Sequence, residues 1–138
     1  MRHVRGIRTA RAALDLVRVG ADSEPETRLR LMLVRAGLPE PELNMWIHVG
    51  GRRQVVEPDL GYRQQRISVQ YDGIHHGNPR QHALDIERAD LTAAAGWLEV
   101  RVAAADLTSL VVFPALGVVP RAVAKIAAAL SARGWSPR

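Results

Sequence analysis

The stretch Arg66-Ile67-Ser68-Val69-Gln70-Tyr71-Asp72-Gly73 decides the fold of this chain. Ile67, Val69 and Tyr71 fall on one side of an extended backbone and Arg66, Ser68 and Gln70 on the other. This is the period-two alternation of a strand with one face in a core. Asp72-Gly73 then breaks the strand with a turn dipeptide. Downstream, the spacing predicts a helix over 81–95 that buries Leu84, Leu91 and Ala95 and is capped by Gly96, followed by a strand from Trp97 to Val102. Strand, helix and strand make a crossover unit, right-handed if the two strands run parallel.

Working upstream, Met45 to Val49 reads as a short strand, Gly50-Gly51 as a hairpin turn, and Gln54 to Tyr62 as a stretch that contains a second strand. A helix opens at Ser23, where Ser23 and Glu26 form a capping-box pattern and Pro25 sits in the first turn. Leu29, Met32, Leu33 and Ala36 carry it at helical spacing to the stop signal Gly37-Leu38-Pro39. A short amphipathic helix is expected over 9–19, with Leu14, Leu16 and Val17 near one face. At the other end, Val119, Val123, Ile126 and Leu130 predict a helix over 118–132. The apolar run from Val111-Val112-Phe113 to Val118-Val119 is expected to pack on the core or on another subunit. The expected architecture is α/β in the order α-βββ-α-β: a mixed central sheet of about four strands flanked by helices. One domain is expected, with an extension over 1–20, the core over 21–110, and a C-terminal helix over 111–138 packing on it.

Composition narrows the function classes. Hydrophobic residues at 47% and charged residues at 24% are ordinary for a globular protein. The absence of cysteine removes disulfides, thiolate metal sites and cysteine nucleophiles together, and is compatible with a reducing compartment. No apolar run has the length of a membrane helix, and no signal core follows the basic start Met1-Arg2-His3-Val4-Arg5, so a cytoplasmic protein is expected. The formal net charge is +5, and Lys125 is the only lysine among 19 basic residues. Arginine suits bidentate phosphate contacts, so the charge permits a nucleic-acid partner without demonstrating one. Arg52, Arg53, Arg63 and Arg66 cluster around the expected hairpin, either as a phosphate-tracking patch or as a charged edge that discourages aggregation.

The chemistry-bearing residues gather at strand ends. Asp59 follows Pro58 in the second strand, Gln70 and Asp72 share a face of the third, and His76 lies four residues beyond Asp72. If the two strands pair, Asp59, Gln70 and Asp72 can face one pocket. Oxygen donors of this kind suit Mg²⁺ or Mn²⁺, and a histidine tilts toward Mn²⁺ or serves proton transfer. Glu26 is equally well explained as a capping residue. Asp85 and Arg88, three apart on a helix, read either as a surface ion pair or as part of the site. Trp46 and Trp97 read as core or core-edge aromatics.

Six motifs occur in order: Ser23-x-x-Glu26-Thr27-Arg28-Leu29-Arg30, Ala36-Gly37-Leu38-Pro39, Pro58-Asp59-Leu60, Gln70-Tyr71-Asp72-Gly73-x-x-His76, Asp85-x-x-Arg88 and Gly96-Trp97. Together, over residues 20–107, they resemble the very-short-patch-repair endonucleases of the PD-(D/E)XK nuclease superfamily. The resemblance implies a restriction-endonuclease-like core and Mg²⁺- or Mn²⁺-dependent hydrolysis of DNA phosphodiesters. The activity expected is repair- or defence-type nicking of double-stranded DNA, mismatched or damaged.

The family's strand-two aspartate falls on Asp59, its Glu-x-Asp-Gly-x-x-His string on Gln70, Asp72, Gly73 and His76, and its helix glutamate on Glu26. Asp59, Gln70 and Asp72 are then the expected metal ligands. His76 is the expected general base or acid, Glu26 a residue that positions water, and Arg52, Arg53, Arg66 and Arg88 the expected nucleic-acid contacts. Two departures stand out: Gln70 replaces the family's glutamate, and no lysine lies near this strand. In related full-length proteins the domain follows an amino-terminal, antitoxin-like DNA-binding region, of which little is present here. The competing readings are a catalytically silent nucleic-acid-binding module, for which Gln70 speaks, and a toxin–antitoxin or defence component acting through a partner protein.

Overall fold

The computed structural model describes residues 24–49, 54–72 and 78–137. The expected 9–19 helix, the Ser23 cap, the Gly50-Gly51 turn and the histidines at 75 and 76 lie outside these residues.

Helix α1 (Glu24–Arg35) turns Leu29 and Leu33 fully inward. It ends as its sequence predicts. Gly37 takes φ 92°, a conformation a β-carbon disfavours. The Gly37 N–H then reaches the Val34 carbonyl and the Leu38 N–H the Leu33 carbonyl, both at 3.0 Å. This double bond pattern satisfies the last helical carbonyls and drops Leu38 into the core.

Strands β1 (Ile47–Val49) and β2 (Gln54–Val56) pair antiparallel as a two-stranded ribbon. The single strand expected within 54–62 is divided, because Glu57-Pro58-Asp59 leaves the ladder before β3 (Leu60–Tyr62) begins. Pro58 has no N–H to give a sheet, and the two halves serve different partners. While β2 pairs with β1, β3 pairs antiparallel with β4 (Ile67–Asp72).

Helix α2 (Pro79–Ala94) starts on Asn78, whose Oδ1 accepts from the N–H groups of Arg80 and Gln81. It returns the chain to β5 (Leu98–Ala103), which pairs parallel with β4 over all six residues. The central sheet is therefore mixed, ordered β3-β4-β5, with three strands among the described residues where about four were expected.

A short helix α3 (Ala104–Thr108) leads into a hairpin of β6 (Leu110–Phe113) and β7 (Gly117–Pro120), then helix α4 (Arg121–Ala132). The apolar 111–119 segment is thus a hairpin. Its turn signal was Pro114-Ala115-Leu116-Gly117, where Ala115 and Gly117 take φ 71° and 79°. The final helix starts at Arg121 rather than Val118, because Pro120 holds an extended ψ of 144° at its N-cap. No helix among the described residues is long and apolar enough to cross a membrane.

The two faces of the central sheet differ in kind. Leu60, Ile67, Val69, Val100 and Val102 form one core with Leu29 and Leu33 of α1 and Val123, Ile126 and Leu130 of α4. On the other face stand Ser68, Gln70, Asp72, Glu99 and Arg101, of which Glu99 and Arg101 form ion pairs with Arg88 and Asp85 of α2, the helix that buries Asp85 and Thr92. The expected apolar face of α2 is not the one turned inward. Leu84 is 50% exposed, as Ile86 is at 51%, because a sheet surface lined with charges is better matched by charges and hydroxyls. Trp46, expected near the core, is also exposed.

Asp106 ties α4 to β5. Its carboxylate accepts from the Ala103 N–H at 2.8 Å, from Arg121 Nε and from Lys125 Nζ at 3.1 Å, while Lys125 also donates to the Arg101 carbonyl. Burial alone would raise its pKa. The bonds from Ala103, Arg121 and Lys125 win and lower it to about 2.

Because the folded value lies below the unfolded ~3.9, Asp106 stabilises the fold above that pH, and the contribution fades as pH falls through about 2. Asp106→Asn should cost about 2 kcal/mol near neutrality. It should also flatten stability between roughly pH 4 and 2, read by urea unfolding across pH. A variant as stable as wild type at pH 7 would remove Asp106 from this role.

Candidate active site at the C-terminal end of β4

The β3–β4 register aligns Leu60 with Val69, so Asp59, one step before Leu60, lies across from Gln70. In the parallel pair Gln70 in turn faces Arg101. Three adjacent stretches of chain thus each set one polar residue in a row on the α2 side of the sheet. Because β3 begins only at Leu60, the Tyr71 N–H takes its acceptor from the Asp59 side chain, at 2.7 Å to Oδ2. That bond locks the carboxylate in place.

Asp59 is half-buried, and burial pushes its pKa up. The Tyr71 N–H and the Arg88 charge pull back, and Glu57 adds to the rise. Glu26 of α1 is also raised, by burial first and then by the charge of Asp59. The two carboxyls therefore sense each other across the end of the sheet. Burial and neighbouring negative charge disfavour the ionised form of both, a setting that a cation relieves.

Gln70 adds an acceptor. Its Oε1 is sealed from water and has no hydrogen-bond partner. Asp72, at the end of β4, is more open, with its Oδ1 3.9 Å from Arg101 Nη2.

Below these lies an ionic network. Arg88 donates through Nη1 to Asp85 Oδ1 at 3.1 Å and through Nη2 to Glu99 Oε1 at 3.4 Å, and Gln81 supports Asp85 at 3.3 Å. Asp85 is only 8% exposed, so Asp85 and Arg88 are no surface pair. Arg101 sits among Asp72, Asp85 and Glu99 at 3.7–3.9 Å.

Glu99 and Arg101 are the residues that sequence reasoning missed. Their signal was present as alternation: charges at 99 and 101 interleave with Val100 and Val102, and that charged strand face lies under a helix.

Other expected residues do not join this group. Arg66 lies in the β3–β4 turn with φ 56°, at the opposite end of β4 from Asp72, roughly 20 Å along an extended chain. Arg52, Arg53 and His76 lie outside the described residues. Among the described residues, no three histidine, aspartate or glutamate side chains already converge as a metal cage.

No family profile matches this chain, and no solved structure matches it. It is 31% identical over 104 residues to two uncharacterized proteins of Mycobacterium tuberculosis, from strains CDC 1551 / Oshkosh and ATCC 25618 / H37Rv. The matched region is 75% of this chain and 38% of each relative, so the chain spans well under half the length of the curated relatives it matches.

The raised pKa of Asp59 has a consequence for stability. Above its folded pKa the ionised side chain disfavours the native state, and below the unfolded ~3.9 the penalty is absent. Asp59→Asn keeps an acceptor for Tyr71 and removes the charge, so in chelator it should melt higher than wild type at pH 7–8. It should show no such gain at pH 3. Thermal melts at both pH values check this, and a lower melting temperature at neutral pH would sink it.

Proposed function

We propose that this domain is a divalent-metal-dependent endonuclease that hydrolyses phosphodiester bonds of double-stranded DNA, built on a restriction-endonuclease-like core. One observation carries the reading. Asp59, its pKa raised by burial, lies across from Gln70, whose buried Oε1 has no partner, and Glu26 is near enough for the charge of Asp59 to raise its pKa too. An orphaned acceptor next to two strained anions suits a hard cation.

The donor set is sparse, with Asp59 and Gln70 as ligands and Asp72 close by. Mg²⁺ is commonly held in this way, through one or two carboxylates together with substrate phosphates and water. When bound, Mg²⁺ or Mn²⁺ would polarise the scissile phosphate and lower the pKa of a nearby water.

The chain's own residues divide the remaining tasks. Asp59, oriented by the Tyr71 N–H, brings negative charge to the ligand row. Gln70 contributes an oxygen without charge, which weakens the pull on the cation relative to a glutamate. Glu26 orients water next to Asp59. His76 is the candidate to take the proton from the attacking water or to give one to the leaving oxygen, a task for which an imidazole, with an unperturbed pKa of about 6.5, is suited. The new bond joins the water oxygen to phosphorus. The bond that breaks is one P–O ester, and its oxygen leaves with a proton.

Helix α1, the antiparallel β3–β4 pair, the crossover α2 and the parallel β5, with the spacing of Asp59, Gln70 and Asp72, support the likeness to very-short-patch-repair endonucleases. A second reading, a silent nucleic-acid-binding module, is favoured by the lack of three converging acids among the described residues.

The test is nicking of supercoiled plasmid and mismatched duplexes with Mg²⁺, Mn²⁺ or chelator. Asp59→Ala should lose at least roughly 100-fold, since removing even outer-shell support costs 10–100-fold at metal sites. Gln70→Glu should gain activity. Cleavage that survives Asp59→Ala refutes this site. No cleavage by wild type or Gln70→Glu, with DNA still bound, selects the silent module.

A further inference from the structure

Arg88 and Arg101 are both set among carboxylates, yet their hydrogen bonding differs. Arg88 has each terminal nitrogen committed, to Asp85 and to Glu99. Arg101 has acids near it at 3.7 and 3.9 Å, beyond good hydrogen-bond reach, and its Nε and Nη2 are buried with no acceptor. Its side chain is nevertheless 41% exposed, and it lies beside Gln70 in the β4–β5 register. The backbone beneath it is braced, because Lys125 of α4 donates to the Arg101 carbonyl. The sealed Nε and Nη2 face the acids, so a guanidinium on a rigid strand and open to solvent in part offers an anion its remaining nitrogen, Nη1. The surroundings also call for an anion receptor. Among the described residues, Glu26, Asp59, Asp72, Asp85 and Glu99 gather about Arg88 and Arg101, and such an acidic row repels a phosphate unless a cation is poised to meet it.

We propose that Arg101 is the residue that receives a backbone phosphate of the bound nucleic acid at this site, while Arg88 is a positioning residue that holds Asp85 and Glu99 around it. The proposal rests on the reading of the site as a DNA-processing one, and it assigns the phosphate contact to β5 rather than to the arginines of the turns.

The test is binding of a fluorescein-labelled DNA duplex to the whole chain, in chelator and in Ca²⁺, over a range of salt. Arg101→Gln should weaken binding about 10- to 100-fold, the scale of a charge-assisted hydrogen bond. It should also reduce the slope of log affinity against log salt by about 1. Arg101→Lys keeps the charge but loses the planar fork, so it should retain the slope and recover part of the affinity. Arg35→Gln, at the far end of α1 from Glu26, removes the same charge and should leave both unchanged.

Thermal melts separate a purely structural role, in which Arg101→Gln melts lower while affinity and slope in its folded fraction match wild type. That result overturns the proposal. If wild type cleaves and Arg101→Gln binds and cleaves equally well, the proposal fails and the nuclease reading stands. If wild type never cleaves but binding depends on Arg101 as described, the nuclease reading fails and the proposal stands. No measurable DNA binding by wild type under either condition overturns both.

Discussion

The six-residue parallel pairing of β4 with β5 is the constraint on which the rest of this fold depends. A parallel pair needs a crossover, and α2 supplies it, which obliges that helix to lie across one face of the sheet. The opposite face is then left for α1 and α4, and they close the apolar core over Ile67, Val69, Val100 and Val102. At the N-terminal end of the pair, the Leu98 N–H bonds to the Arg66 carbonyl and Arg133 of the α4 C-terminus reaches the Gly96 carbonyl. At the other end, Asp106 and Lys125 fasten α4 to the chain leaving β5. The strand ends that carry Asp72 and Arg101 are therefore held from several directions.

The face beneath α2 is energetically the opposite of the core. A network of Arg88, Arg101, Asp85 and Glu99, largely withdrawn from water, contributes little net stability, because desolvation of the ions offsets most of their attraction. Apolar residues of similar volume would do as well or better for stability alone. Leu84 and Ile86 are left half exposed on the outside of the same helix. The burden of five acids, two of them with raised pKa, and of an orphaned Gln70 carbonyl falls within one region, where the proposed chemistry would use it.

Part of this site was readable in the linear chain. Asp59, Gln70 and Asp72 stand at strand ends, and alternation alone places Gln70 and Asp72 on one face. The division of the expected 54–62 strand at Pro58 was harder to read, because Val55, Val56, Leu60 and Tyr62 look continuous in apolar pattern. Only the competing pairings of β2 and β3 reveal two strands. Arg101 was hidden for a related reason. A charge alternating with valines ordinarily marks a solvent face, and it becomes a partly covered one only when a helix is laid over it. The inward face of α2 inverted the expectation for the same cause: Leu84 and Leu91 follow helical spacing, yet the partner surface that decides which face is buried is built by strands far away in sequence.

The sequence by itself determined what is local. It set the end of α1 at Gly37, the alternation of β4 and the helical spacing of Val123, Ile126 and Leu130, since caps, turns and periodicity act over a few neighbouring residues. Tertiary structure alone decided which strand faces which, that the charged side of β5 is covered, and that Glu26, Asp59 and Arg101 share one end of the sheet. Those outcomes depend on register and desolvation between segments up to 75 residues apart, and no short window of sequence contains both partners.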